Sequence, residues 1–404
     1  MNHRTETHEE GSRPALDPML TLIMAVGTGL AIANIYYAQP LLGLIERDFG
    51  GGGELVHLVP TATQLGYAAG ILLLVPLSDR VDRRRLIVAQ CAGLVVALAA
   101  AALAPTPATL LAASVLVGLL ATIAQQIVPF AAELSSPERR GRTVGAVMSG
   151  LLVGILLART VSGLVGEWFG WRATFWLGAV MAAAMGALLA WRLPRSQPST
   201  TDPYHRLLQS LVTLFRREPE LRRAALTQGL LFAGFSAFWT VLALLFEQPR
   251  YHLGSDAAGL FGILAVAGVF IAPLAGRRAD ATGPARVILV GVVIVLASFA
   301  MMAIDASLLT LAVGVVLMDA GVQMAMIGNQ ATIYALAGEA RGRYNTVFIA
   351  TMFVSGAAGS AGASAAWAHG GWTAVMLLAA ACAAAALLIQ FAPRRALVAQ
   401  GASA

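Results

Sequence analysis

The segment from Leu72 to Leu86 narrows what this chain can fold into more than any other. An apolar run, Leu72-Leu73-Leu74-Val75-Pro76-Leu77, passes after Ser78 into Asp79-Arg80-Val81-Asp82-Arg83-Arg84-Arg85, and an apolar run resumes at Leu86. Six charges within seven residues between two such runs fit a tight basic turn joining two membrane helices, with the turn facing one aqueous side. A weaker copy follows at Ala275-Gly276-Arg277-Arg278-Ala279-Asp280-Ala281-Thr282-Gly283, where Asp280 lies 201 positions after Asp79. The same offset carries Arg140-Gly141-Arg142 onto Arg341-Gly342-Arg343, Gly170-Trp171 onto Gly371-Trp372, and Glu46 onto Glu247. Repetition at one offset marks a duplicated half.

Composition agrees: 58% of residues are hydrophobic and 12% charged, where a soluble domain has about half and a quarter. Apolar runs of about 20 residues, enough to cross ~30 Å of hydrocarbon, occur at 19–43, 55–77, 86–105, 108–134, 143–167 and 171–191. Their copies are at 223–246, 256–276, 285–305, 307–336, 344–367 and 372–392. The reading is an all-α polytopic membrane protein of 12 transmembrane helices, arranged as two six-helix bundles at 19–191 and 223–392. Arginines cluster in alternate loops, which puts those loops, both tails (1–18 and 393–404) and the linker 192–222 on the cytoplasmic side. The net charge of +6 follows from this placement and does not indicate nucleic acid. The acidic start, with Glu6, Glu9 and Glu10, is unlike a signal peptide. In the linker, Leu207, Leu208, Leu211, Val212, Leu214 and Phe215 recur at helical spacing, as in an amphipathic helix on the inner membrane surface. Gly66 with Gly70, Gly150 with Gly154, and Gly356 with Gly359 and Gly362 are small faces expected at the seam between the halves.

Twelve spans in two parallel halves, with Leu77, Asp79, Arg80, Arg83 and Arg84 between the second and third, resemble the major facilitator superfamily. Val75 and Asp82 stand where its loop signature has glycines, and the copy supplies Gly283 at the place of Asp82. Tyr36-Tyr37-Ala38-Gln39-Pro40, Ala158-Arg159-Thr160 with Gly163, and Phe235-Ser236-Ala237-Phe238-Trp239 are similar to bacterial members of the drug:proton antiporter type. The chain departs from that type in the fourth span, where Ala113–Gly118 carries no arginine, and in the fifth, which lacks a glycine-proline element. The resemblance implies a gate at the basic loops, made of Asp79, Arg80, Arg83 and Arg84 in one half and Asp280, Gly283, Arg341 and Arg343 in the other. It also implies a central cavity lined by the first, fourth, seventh and tenth spans.

Two ionisable residues fall well inside predicted spans, Arg159 in the fifth and Asp319 in the tenth. Each costs about 2.5–3.5 kcal/mol at a helix centre on insertion scales, so each needs a cavity or a partner. Asp319, Gln323, Met326 and Gln330 share one helix face, with Asn329 beside it. Burial favours the proton-carrying form of a carboxylate, so Asp319 is the first candidate for proton coupling, or else an anchor for a cationic substrate. Arg159 is the second, or it binds an anionic substrate, gates the outer side or bonds to open helix carbonyls. On the seventh span Gln228, Phe232, Phe235 and Trp239 form an aromatic stripe; Asn34, Tyr37, Gln125 and Gln126 complete an uncharged cavity wall. Neither cysteines nor histidines show metal-ligand spacing, and no enzyme motif is present. These residues fit a monomeric carrier without a cofactor, driven by the proton gradient, whose partners are the bilayer and a small amphipathic substrate. Proton-coupled efflux is the first reading, uptake or uniport of a neutral metabolite the second, and a membrane sensor the third.

Overall fold

A computed structural model describes residues 17–50, 53–136, 138–198, 200–337 and 340–391; the expected tails fall outside these apart from residues 17 and 18. The described residues are built from helices: α1 (Pro18–Ala33), α2 (Leu42–Asp48), α3 (Gly53–His57), α4 (Val59–Leu77), α5 (Arg83–Ala102), α6 (Pro107–Leu120), α7 (Ile123–Leu134), α8 (Arg140–Phe169), α9 (Trp171–Arg192), α10 (Tyr204–Arg217), α11 (Pro219–Phe246), α12 (Ser255–Leu264), α13 (Val266–Thr282), α14 (Pro284–Ile304), α15 (Leu308–Leu336) and α16 (Arg341–Phe391). Among the described residues, nine helical stretches are long and apolar enough to cross a membrane. Large apolar side chains such as Val96, Leu188, Leu309 and Leu388 are exposed, as lipid-facing residues are. Two compact units form, one reaching from α1 to Gln209 and including Gly254–Leu260, the other comprising Ser210–Leu253 and the chain from Phe261.

Several expected spans are interrupted. The first stops at Ala33, where the Asn34 amide donates to the carbonyls of Leu30 (2.7 Å) and Ala31 (3.2 Å). Turns follow and then a short 3-10 segment, Gln39–Leu41, in which Pro40 has no N–H to continue a helix. The fourth breaks at Ala121 between α6 and α7, and the eighth at Ala265 between α12 and α13. Helix α16, at 51 residues, would be roughly 75 Å long if unbroken. It holds two expected spans joined at Gly371, whose φ of 59° stops the first. Its repeat partner Gly170, with φ 83°, separates α8 from α9. The repeated Gly-Trp pair is thus one device, a left-handed glycine that ends a helix.

Helices in hydrocarbon associate by close packing, and here backbones meet. A Cβ on Gly66 of α4 would fall 2.0 Å from the Val115 carbonyl oxygen of α6, and one on Gly118 would fall 1.9 Å from that of Thr63. Gly150 and Gly154 of α8 meet Ala25 and Gly29 of α1 in the same way, and Gly359 of α16 meets Ala233 of α11. The sequence reading sets the spans of Gly66, Gly150 and Gly359 at the seam between the halves; the contacts these glycines make here are with neighbouring helices. Each lies within one unit.

The basic turn between α4 and α5 also explains its departure from the family loop. Asp82 is the N-cap of α5 and accepts from the amides of Arg84 (3.0 Å) and Ser196 (3.2 Å). The Ser196 hydroxyl in turn accepts from the Arg83 amide at 2.8 Å. In the second half the turn between α13 and α14 uses Gly283 at φ 87° instead. The linker is tied to the same turn, since the Thr200 amide donates to the Asp79 carbonyl (3.1 Å). Tyr204 donates to the Leu73 carbonyl at 2.6 Å. Helix α10 therefore anchors to protein, with Leu211 buried and Arg206, Arg216 and Arg217 exposed.

Replacing Gly118 with Ala puts a methyl against fixed backbone and should lower the melting temperature of the purified protein, at a cost of about 1–3 kcal/mol. Gly145→Ala on α8, where a Cβ meets nothing within 4 Å, should leave the melting temperature unchanged or raised.

Candidate functional site

In the second unit, every residue of α11 from Leu231 to Phe246 is buried. Gln228, 1% exposed, accepts from the Asn329 amide at 3.3 Å and donates to the Val322 carbonyl at 3.5 Å, so α11 and α15 meet through polar groups. Asn329 is buried, while Gln323, Met326 and Gln330 on α15 are half-buried. Asp319 lies buried on the same helix, 8% exposed. The aromatic stripe of α11 is a contiguous cluster. Phe232 and Phe235 stack with centroids 5.4 Å apart, and Phe353 of α16 meets Phe232 edge-on at 5.1 Å. Trp239 continues the cluster at 6.2 Å from Phe235. This unit therefore joins one buried carboxylate, an amide pair and an aromatic wall.

In the first unit the central group is Arg159 on α8, 1% exposed. Its Nε donates to Gln39 Oε1 at 2.8 Å, and its guanidinium lies over the Tyr36 ring, 4.5 Å from the centroid. Both partners come from the turns and the 3-10 segment after α1, where the break in the α-helix turns side chains toward α8. Sequence reading placed Asn34 and Tyr37 in the cavity wall and passed over Tyr36 and Gln39. In the structure Asn34 and Tyr37 lie against α9, at 3.2 and 3.0 Å from where a Cβ of Gly178 would stand. The available signal was the polar run Tyr36-Tyr37-Ala38-Gln39 ahead of Pro40, but which of its members turn toward Arg159 depends on where α1 ends.

A second polar group surrounds the break between α6 and α7. Gln125 donates to the Tyr67 hydroxyl at 3.2 Å, and Gln90 of α5 donates to the Thr122 hydroxyl at 3.0 Å. Gln126, one turn beyond Thr122, is fully buried. Gln90, whose one polar side chain inside the third span carried no pattern, escaped the sequence reading.

Among the basic-turn residues, Arg83 forms ion pairs with Asp79 (3.2 Å) and with Glu133 of α7. Arg84 donates to the Ala190 carbonyl of α9. Arg80, Asp280, Arg341 and Arg343 are exposed, and Gly283 is half-buried. At the opposite, arginine-poor end, Arg172 and Trp171 hydrogen-bond Asp48, and the Arg172 bond holds that carboxyl below its ordinary range. His57 lies 3.1 Å from the Glu46 carboxylate. Among the described residues, no three of His, Cys, Asp or Glu cluster as metal ligands would.

The family model described as Major Facilitator Superfamily matches residues 24–304 and 224–402. The chain is 41% identical over 376 residues to "Uncharacterized transporter YgaY" of Escherichia coli O157:H7, covering 93% of this chain and 95% of that protein. It is 37% identical over 380 residues to "Probable transporter SCO4007" of Streptomyces coelicolor, covering 94% and 88%. Among solved structures, that of a D-xylose-proton symporter superimposes with a TM-score of 0.72 at 15% identity, over 92% of this chain and 97% of that one. The fold is shared.

Replacing Gln39 with Leu removes an acceptor of a buried guanidinium, at a cost of about 1.5–3 kcal/mol, and should lower the melting temperature of the purified protein. Gln39→Glu keeps an acceptor and should melt at or above the wild-type temperature. Equal melting of all three proteins would show that the contact contributes nothing to the fold.

Proposed function

The chain belongs to the major facilitator superfamily, and from this we propose that it exports a small amphipathic compound in exchange for protons. The carrying observation is the composition of the second unit's interior: one buried carboxylate, Asp319, on a helix that also bears an amide pair, with an aromatic cluster across α11. Aromatic rings offer apolar contact area, and the amides fix orientation by hydrogen bonds. Among the described residues Arg159 is the one buried cation, which is too few for a multiply charged anion, so an amphipathic molecule of low charge fits best. Ionised carboxylates are costly to bury, so a change in the solvation of Asp319 changes its proton occupancy. That property allows one group to exchange a proton for substrate as access alternates.

In the first unit Arg159 is the second candidate for proton coupling, its guanidinium held by the hydrogen bond to Gln39 and by the Tyr36 ring. The arginine-rich turns would face the cytoplasm of a bacterial inner membrane, with both termini on that side. In this orientation the ion pairs of Asp79, Arg83 and Glu133 brace the cytoplasmic ends of α4, α5 and α7, where a gate has to act. Asp280, Arg341 and Arg343 would serve the second half. The carrier works as a monomer and needs no bound cofactor.

Everted membrane vesicles acidified inside by respiration, followed with a pH-sensitive dye, test this reading against a panel of drugs and metabolites. A compound that releases protons with the wild-type protein should do so at least about tenfold less with Asp319→Asn, which keeps the shape and loses the titrating group. Equal release by both proteins would remove Asp319 from the mechanism. Silence of the wild type across the panel, with substrate uptake in whole cells, would replace export by uptake.

A further inference from the structure

Helix α12 is divided between the two units: its first residues, up to Leu260, belong with the first, and the chain from Phe261 belongs with the second. What holds the first turns is a small set of contacts on α8, at the arginine-poor end of the helices. The Glu167 carboxylate accepts from the Ser255 amide at 3.1 Å and from the Ser255 hydroxyl at 3.0 Å. The carboxylate thus sits on the positive N-terminal end of a 10-residue helix, where a negative charge is favoured. The same hydroxyl lies 3.1 Å from the Gly163 carbonyl, and Thr160 donates to the Gly259 carbonyl at 3.0 Å. Between these bonds the two helices touch through backbone. A Cβ on Gly163 would fall 2.4 Å from the Ser255 carbonyl oxygen, and one on Gly259 would fall 2.6 Å from that of Arg159.

We propose that Glu167 is the release point of a clasp that holds the first turns of α12 on α8 in one state of the transport cycle and lets them go in the other. The interface differs from the pairing of α4 with α6 in the same unit. The pairing of α4 with α6 depends on interlocked glycines, whereas this one adds a charged acceptor at its edge, directed at an amide and a hydroxyl. Hydrogen bonds to a charged group are stronger than neutral ones and are exchanged readily for water once the edge opens. The break at Ala265 gives α12 a joint just beyond the held segment. Because Gly259 rests on the Arg159 carbonyl, opening the clasp uncovers the backbone of the residue that carries the buried cation. Glu167 is therefore a positioning residue, acting on the site through α8.

The proposal rests on transport by alternating access, but its readout requires no substrate, so its failure is distinguishable from that of the export reading. Ala258, 3% exposed on the first turn of α12, takes no part in the clasp bonds. The full-length protein carrying Ala258→Cys, with Cys91 and Cys382 replaced by Ser, is reconstituted in vesicles of phosphatidylethanolamine and phosphatidylglycerol and labelled with fluorescein maleimide. Adding Glu167→Ala should speed labelling about tenfold, since two bonds to a charged acceptor are lost. Ser255→Ala, which keeps the amide bond, should speed it about threefold and serves if the first variant fails to fold. A parallel protein retaining only Cys91, buried on α5, reports general loosening. Labelling of Ala258→Cys within twofold of the parent, or a matching rise at Cys91, would overturn the proposal.

Discussion

Helices in hydrocarbon gain nothing by hiding apolar side chains from lipid, so this bundle depends on backbone meeting backbone. Gly66 and Gly118 each occupy the space that the other's helix would need for a side chain, and the same exchange joins Gly150 and Gly154 to α1. Such contacts are all-or-nothing, because a methyl placed there meets carbonyl oxygens that cannot rotate away. They hold pairs of helices as rigid bodies. Rigid bodies are what a carrier needs if its access is to alternate without its bundles melting.

Where the backbone is not helical, it needs other partners, and these places gather the polar side chains. The stretch after α1 supplies Tyr36 and Gln39 to Arg159, and the break at Ala121 is faced by Gln90 and Thr122. One interruption thus serves twice. It releases carbonyls that amides can cap, as Asn34 does for α1, and it turns neighbouring side chains to directions a continuous helix could not offer.

The fold was legible in the sequence because its determinants are local or periodic. Apolar runs, arginine placement and a fixed repeat offset need no knowledge of tertiary contacts. Of the candidate site, only the two residues that stood out by charge, Arg159 and Asp319, were legible as groups the fold buries. Their neighbours were harder to find. Gln39 lies 120 positions from Arg159, and helical phase fails as a guide once α1 ends at Ala33. Phase selected Asn34 and Tyr37, which lie against α9. Asp82 looked like a lost glycine, yet a side-chain cap and a left-handed glycine are two solutions to the same helix start. The small faces were correctly seen as contact surfaces, but a sequence does not say which helix a glycine meets.

The duplication separates what the fold requires from what chemistry has added. Shifted by 201 positions, Gln39 becomes Thr240 and Arg159 becomes Ser360, and those two hydroxyls lie 2.9 Å apart in the second unit. One polar contact between two helices is therefore built twice, once from two small hydroxyls and once from an amide and a guanidinium. Two hydroxyls satisfy each other at small cost, so packing alone does not call for a buried cation at this place. The counterpart of Asp319 is Gly118, which serves only to let α6 approach α4. In each half, then, the charged residue stands where the other half keeps a packing residue. The positive group of one unit and the acidic group of the other are additions to a common frame, each buried where packing alone asks for no charge.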